Sequence, residues 1–143
     1  MKSFVITIMD NPRSVKAADR CIESAKKFGV EVEYFEAITP KDNPKQIMID
    51  EGINYELFFD STFSRFEPAL SAFLSHRECW KKGIEHNENV LVLEHDAVFT
   101  NPLPDIKINR GVSFGRPSFG SFKQPPKPGH YMLFSKPGGY YTS

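Results

Sequence analysis

Three side chains that can bind a metal ion follow one another at residues 94 to 96, directly after the apolar run VLVL. Glu94 and Asp96 supply carboxylate oxygens, which suit hard divalent cations such as Mg²⁺ and Mn²⁺. His95 can add an imidazole ligand, which favours Mn²⁺ over Mg²⁺. Because such cations usually keep open positions that phosphate oxygens can fill, the tripeptide predicts a cation site that binds a substrate diphosphate.

The apolar run before the tripeptide predicts a strand, and the charged residues at its end have two interpretations. Ligands of open α/β sheets bind beyond the carboxyl ends of the strands, which favours a binding site. Acidic residues also often begin a solvent-exposed turn, and a short acidic tripeptide alone does not distinguish the two. Along an extended segment, Glu94 and Asp96 are expected on one side and His95 on the other.

The elements that must position this tripeptide alternate between strand and helix patterns. Residues 3 to 9 are apolar and β-branched and predict a buried strand, and residues 14 to 28 repeat apolar side chains at helical spacing. Residues 30 to 38 alternate with the strand period, and residues 69 to about 87 predict a second long helix. Between them, residues 39 to 68 mix turn residues with short apolar groups and are expected to form a loop, in which residues 58 to 68 resemble a long loop with local helical turns. This order predicts an α/β fold with a largely parallel sheet.

The composition changes after Pro102, where glycine and proline become frequent. We expect loops around short strands there, with GVSFG and HYMLF as the strand candidates. The length of 143 residues favours a single domain. Within it we expect a core over residues 1–105 and a loop-rich C-terminal segment over residues 106–143.

Bulk composition argues against several classes of function. Lys and Arg total 18, equal to the 18 Asp and Glu, so no general attraction to nucleic acid or to an anionic membrane is expected. No apolar run approaches the roughly 20 residues that span a bilayer, and residues 1 to 10 lack a signal-peptide pattern. Cys21 and Cys79 suit reduced, packed thiols. These features predict a soluble cytoplasmic protein with no transmembrane segment.

Residues 70 to 99, LSAFLSHRECWKKGIEHNENVLVLEHDAVF, resemble glycosyltransferase family 25, the lipopolysaccharide-biosynthesis and procollagen galactosyltransferase-like proteins. Members carry a Gly/Ala-Leu-Ser-His helix followed by a strand that ends in Glu-Asp-Asp. The matching side chains are Ser75, His76, Trp80, Glu94 and Asp96. Upstream, FVITIMDNPRSVKAADR is similar to the first strand, turn and Arg-bearing helix of the family, and VEYFEAITPKD resembles its second strand. The resemblance covers roughly residues 3 to 105.

The resemblance implies a GT-A-like, Rossmann-like nucleotide-binding sheet and transfer of a sugar from a nucleotide-sugar donor, commonly UDP-linked, to a saccharide or other hydroxylated acceptor. It implies that Mn²⁺ or Mg²⁺, held by Asp96 with Glu94 directly or through water, stabilises the leaving diphosphate. Within the Ser75-His76 motif, His76 is a candidate donor-side or phosphate-side group, and a hydrogen-bonded structural role is its alternative. We expect Trp80 to lie in the core.

The same resemblance implies a nucleotide site at the ends of the first two strands. Thr7 and Ile8 end the first strand, and Arg13 and Arg20 follow in the turn and helix beyond. Arginine can neutralise phosphate or stack on a base, although both residues also suit a solvated helix face. Ala37, at the end of the second strand, suits either an apolar contact with the base or core packing.

The chain departs from the family pattern in two respects, and these departures leave two alternative functions to consider. His95 stands where the family usually has Asp, which leaves the two flanking carboxylates. The chain is also considerably shorter than most members, so we expect a short or truncated member with a reduced acceptor-side half. Both departures suit a non-catalytic nucleotide-sugar-binding or glycan-binding module of the same fold. A metal-dependent phosphohydrolase is a further alternative, although it would require a denser ligand cluster.

Overall fold

The computed structural model describes residues 1–58 and 65–105, together with three strands at Gly111–Phe114, Tyr131–Lys136 and Gly139–Thr142. The chain divides into two compact units, residues 1–99 and residues 100–143. The expectation of one domain over residues 1–143 stays a prediction. None of the helices that the structure describes combines the length and apolar character needed to cross a membrane.

The first unit is built on a three-stranded parallel sheet. Strand β1 (Lys2–Thr7) lies in the middle, with β2 (Glu33–Glu36) on one side and β3 (Val90–Glu94) on the other. Both neighbours run parallel to β1. The parallel α/β arrangement that the alternating sequence pattern predicts is therefore confirmed.

Helix α1 (Pro12–Lys26) connects β1 to β2, and its ends follow from local sequence chemistry. The side chain of Asn11 accepts a hydrogen bond from the backbone N–H of Arg13, which caps the first turn. Pro12 suits the first helical position because its missing N–H would have no partner there. Gly29, two residues beyond the C-cap Lys27, has a φ of 73°, a left-handed conformation that glycine adopts without steric cost.

A second, short helix lies where the sequence predicts a long loop. Helix α2 (Pro44–Asp50) is preceded by a 3₁₀ turn at Pro40–Asp42 and followed by one at Tyr55–Phe58. Met48 of α2 is fully buried in a hydrophobic cluster with Leu70 and Leu74. The loop prediction is wrong for α2 because seven residues contain only two helical turns, too few to establish a clear apolar period.

The long helix α3 (Phe66–His86) precedes β3. Its buried side, within the described residues, consists of Leu70, Ser71, Leu74, Ser75, Cys79 and Gly83. A Cβ atom at Gly83 would lie 2.9 Å from the carbonyl oxygen of Glu88, so glycine permits close approach of α3 to the start of β3. The expectation that Trp80 lies in the core is wrong: Trp80 lies off the buried side and is 47% exposed.

Side chains alternate along β1 and fill a core on each face of the sheet. Phe4 and Ile6 pack with Cys79 of α3, whereas Val5 packs with Cys21 of α1. Because successive side chains of a strand point to opposite faces, α1 and α3 cover opposite faces of the sheet. Cys21 and Cys79 are both buried free thiols, as the sequence predicts.

The second unit contains an antiparallel sheet in the order β4 (Gly111–Phe114), β5 (Tyr131–Lys136), β6 (Gly139–Thr142). The strands predicted at GVSFG and HYMLF are confirmed as β4 and β5. The third strand, β6, was not predicted. The loops expected around these strands fall on residues outside the described ranges.

Candidate functional site

The carboxyl ends of β1 and β3 lie side by side at the point where the strand order reverses. From β1 the chain passes to β2 on one side of the sheet, and later to β3 on the other side. In open α/β sheets, ligands bind in the crevice outside such a reversal. Ile6 of β1 is opposite Glu94 of β3, so the segments that leave these two strands line the same edge.

Glu94 points to the α3 face of the sheet, as the neighbouring Val92 does. Oε1 of Glu94 lies 2.7 Å from Nε2 of His76, and the two side chains are 55% and 30% exposed. Within the described residues, Oε2 of Glu94 has no hydrogen-bond donor. The glutamate is therefore oriented through one oxygen and can present the other to a ligand.

The hydrogen bond from His76 is the largest cause that holds the pKa of the Glu94 carboxyl below its ordinary value. Partial burial opposes this shift, while the positive charge that His76 and His95 carry when protonated acts in the same direction. Glu94 is ionised at neutral pH, as an ordinary carboxyl is, and the lowered pKa extends this cation-binding form to more acidic pH.

His95 points toward α1, on the face opposite to Glu94. Its Nδ1 lies 3.3 Å from Oγ of Ser14, and the same hydroxyl accepts a hydrogen bond of 2.9 Å from the backbone N–H of Ile8. Glu94 and His95 therefore point to opposite faces of the sheet, as the strand period predicts. The expectation that Asp96 lies on the same side as Glu94 stays a prediction. His95 is placed beside the end of β1 and the first turn of α1.

Asp96 lies in a turn, where the N–H of Ala97 donates to the carbonyl of Glu94 at 3.0 Å. Its side chain is exposed. Burial, followed by the negative charge of Asp96, raises the pKa of the Cys21 thiol on α1. Asp96 is thus an accessible carboxylate whose charge reaches the α1 side of the strand end.

The donor groups suit a cation that a substrate would complete. Within residues 1–56 and 65–105, no three His, Cys, Asp or Glu side chains converge closely enough to enclose a metal ion. Mg²⁺ and its relatives are usually bound by one or two carboxylates together with substrate phosphates. Glu94 and Asp96 supply carboxylates of the kind that this pattern requires, and binding of a cation by Glu94, His95 or Asp96 stays a prediction.

Three buried serine hydroxyls hold the loops that leave the carboxyl edge of the sheet. Each accepts a backbone N–H from beyond a different strand at 2.9 Å: Ser14 from Ile8, Ser75 from Ile38 and Ser24 from Phe99. These bonds satisfy partly buried main-chain donors and hold the loops in place at the crevice. Sequence reasoning missed Ser14 and Ser24. The sequence feature that could have identified them is a serine on the buried side of an amphipathic helix, because a buried hydroxyl requires a hydrogen-bond partner.

Ser75, predicted to contact the nucleotide, is only 1% exposed. Its hydroxyl donates to the carbonyl of Ser71 at 2.9 Å while it accepts the N–H of Ile38. Ser75 therefore has a structural contact in which α3 holds the end of β2. Direct contact with a nucleotide stays a prediction for this residue.

The other predicted nucleotide-site residues occupy the strand ends and the surface of α1. Thr7 is buried, its hydroxyl donates to the carbonyl of Val5, and its own carbonyl accepts the N–H of Ala37 at 2.9 Å. Ala37 packs against the α3-side core. Arg13 and Arg20 are exposed on α1. The site thus brings together groups from β1, β3 and the start of α1, while Thr7 and Ala37 mainly support the sheet edge.

Comparison with protein families agrees with this arrangement. The family model described as glycosyltransferase family 25 (LPS biosynthesis protein) matches residues 1–108, which is most of the chain. The match includes all three strands of the parallel sheet and the Glu94-His95-Asp96 segment. A search of the curated proteins and a search of the solved structures each found no significant match.

Proposed function

The chain belongs to glycosyltransferase family 25, whose activity is glycosyl transfer, and we propose on that premise a metal-dependent transfer from a UDP-sugar to a saccharide hydroxyl. The observation that carries the proposal is the pair of accessible carboxylates, Glu94 and Asp96, at the reversal point of a parallel sheet. A GT-A-type donor site would place the nucleotide diphosphate at this edge.

In the proposed reaction, these residues would stabilise the leaving group. When the donor bond breaks, negative charge develops on the diphosphate, and a bound Mn²⁺ or Mg²⁺ supplies Lewis-acid stabilisation of that charge. Asp96 would be the principal protein ligand because its carboxylate is exposed at the turn. Glu94 would bind directly or through water, with its orientation set by His76.

Groups on the β1 side would bind the rest of the donor. Arg13, exposed in the first turn of α1, can neutralise a phosphate or stack on the base. Ser14 holds both the N–H of Ile8 and the imidazole of His95, so it fixes the wall of the crevice opposite Glu94. These contacts give the crevice a predefined shape before the donor binds.

Product formation tests the proposal. UDP release is measured for UDP-glucose, UDP-galactose and UDP-N-acetylglucosamine, with and without Mn²⁺ and simple saccharide acceptors. We expect Mn²⁺-dependent release of UDP that is lost in Asp96→Asn. Release should be retained in the control variant Glu85→Gln, which removes an exposed charge at the C-terminal end of α3. Release that persists in a metal chelator would contradict metal dependence. Donor binding without any product would identify a non-catalytic binding module instead.

A further inference from the structure

Trp80 is the only tryptophan of the chain, and it is 47% exposed on α3. Its ring is held by two neighbours on the same helix. Phe73 and His76 each make an edge-on contact with the indole at a centroid distance of 6.2 Å, with interplanar angles of 80° and 61°. The indole therefore has a defined orientation while much of its surface remains open to solvent.

His76 connects this indole to the candidate donor site. The same imidazole that contacts the ring of Trp80 bonds to the carboxylate of Glu94 at 2.7 Å. One imidazole ring thus separates an exposed aromatic surface from a charged hydrogen-bond acceptor. Small-ligand sites usually combine aromatic surface with a few fixed polar groups.

We propose that Trp80 is a stacking platform for a pyranose ring of the saccharide acceptor. The face of an aromatic ring carries partial negative charge, and it attracts the weakly positive C–H groups on the apolar face of a pyranose. Hydroxyls at the rim of the same sugar can donate to Oε1 of Glu94, the oxygen that also accepts from His76, which leaves Oε2 for the cation of the donor site. The inference rests on the proposed function, because it assigns an acceptor subsite next to the proposed donor site.

The saccharide is favoured over an apolar partner by the position of the exposed ring. Ile84, one turn further along α3, is 80% exposed but offers no aromatic face, whereas the ring of Trp80 contacts the His76–Glu94 pair. Trp80 combines aromatic surface with that pair, which suits a ligand that has both C–H faces and hydroxyls. Ile84 therefore provides a matched control on the same helix.

Fluorescence of the single tryptophan tests the inference directly. The full chain is titrated, in the presence of UDP and Mn²⁺, with methyl glycosides of glucose, galactose, mannose and N-acetylglucosamine and with lactose. We expect at least one of these to lower the acrylamide quenching constant of Trp80 about twofold, because stacking covers one of the two ring faces. An indole that is already inaccessible to acrylamide in the free protein, or is unaffected by every saccharide, would overturn the inference.

Variants separate stacking from general effects on the helix. For the saccharide that protects the indole, we expect Trp80→Leu to weaken binding roughly tenfold by calorimetry, and Trp80→Phe to weaken it less. Ile84→Ala should bind as the unaltered chain does. Equal affinity of Trp80→Leu and the unaltered chain would overturn the platform.

The donor site is measured separately with UDP and Mn²⁺ alone. If UDP and Mn²⁺ bind but no saccharide protects Trp80, the platform fails and the proposed function stands. If a saccharide protects Trp80 but UDP and Mn²⁺ do not bind, the stacking site stands and the proposed donor chemistry fails.

Discussion

Nε2 of His76, on α3, lies 2.7 Å from Oε1 of Glu94, the last residue of β3. This contact joins the helix that carries the Ser-His motif to the strand that carries the acidic residues. It gives the motif a physical role, because the imidazole orients the carboxylate and lowers its pKa. This contact supports a positioning role of His76 for Glu94, while direct contact of His76 with the donor stays a prediction.

Replacing His76 tests that role. In His76→Leu the carboxylate of Glu94 loses its oriented partner, and we expect affinity for UDP with Mn²⁺ to fall roughly tenfold, corresponding to about 1.4 kcal/mol. His76→Gln keeps a donor at this position and should lose less. Calorimetric titration measures both. Equal affinities of the two variants and the unaltered chain would show that the contact does not position Glu94.

The unfolding free energy of the same variants should change little. The pair is 30% and 55% exposed, so water and salt screen it, and a contribution of about 1 kcal/mol or less is expected. A large loss of stability in His76→Gln would instead indicate a packing role for the imidazole. Urea unfolding distinguishes the two outcomes.

Ser75→Ala should destabilise the protein by about 1–3 kcal/mol in urea unfolding, because the partly buried N–H of Ile38 loses its acceptor. Ser71→Ala is the matched control on the same helix. The Ser71 hydroxyl donates to the carbonyl of Glu67, four residues earlier, a type of bond that slightly disfavours helices. Ser71→Ala should therefore be close to neutral. Equal losses in the two variants would contradict a specific role for the Ser75–Ile38 bond.

Cys79 should be unreactive in the native protein. Burial, and then the charges of Glu78 and Glu94, raise the pKa of its thiol to about 12 from the ordinary 9.0. Because the reactive form is the thiolate, a disulfide reagent at pH 8 should modify Cys79 only after unfolding. Rapid modification of the folded chain at this position would contradict its burial. Cys79→Ala identifies which thiol reacts.

The raised pKa of the Cys79 thiol also affects the stability of the protein at high pH. A folded pKa above the unfolded one stabilises the protein fully below pH 9.0, and this contribution is lost as the pH rises from 9.0 to about 12. We therefore expect the difference in unfolding free energy between the unaltered chain and Cys79→Ala to narrow over this range. Urea titrations at several pH values measure it, and a constant difference would contradict the shift.

The strands and long helices could be predicted from sequence because their apolar residues follow clear periods. The run before Glu94 became β3, and the amphipathic segment before Gly29 became α1. The strand period also predicted that the side chains of Glu94 and His95 point to opposite faces of the sheet. Local spacing was sufficient for each of these features.

Features that depend on contacts between distant segments were not predicted. The hydroxyls of Ser14 and Ser24 bond to loops that come from other strands, and sequence spacing does not specify such partners. Trp80 has helical spacing with apolar neighbours, yet the helix turns it away from the sheet. Helix α2 is held by burial of Met48 against α3 rather than by a long period of its own.

Thermal unfolding of Asp96→Asn with UDP and Mn²⁺ tests the central proposal most directly. At a ligand concentration 100 times the dissociation constant, the unaltered chain should gain about 2.7 kcal/mol of stability. Asp96→Asn should lose this gain, while its stability without ligand stays within about 0.5 kcal/mol because the side chain is exposed. Glu85→Gln should retain the gain. Undiminished UDP and Mn²⁺ stabilisation of Asp96→Asn would contradict the assignment of this carboxylate to the donor site.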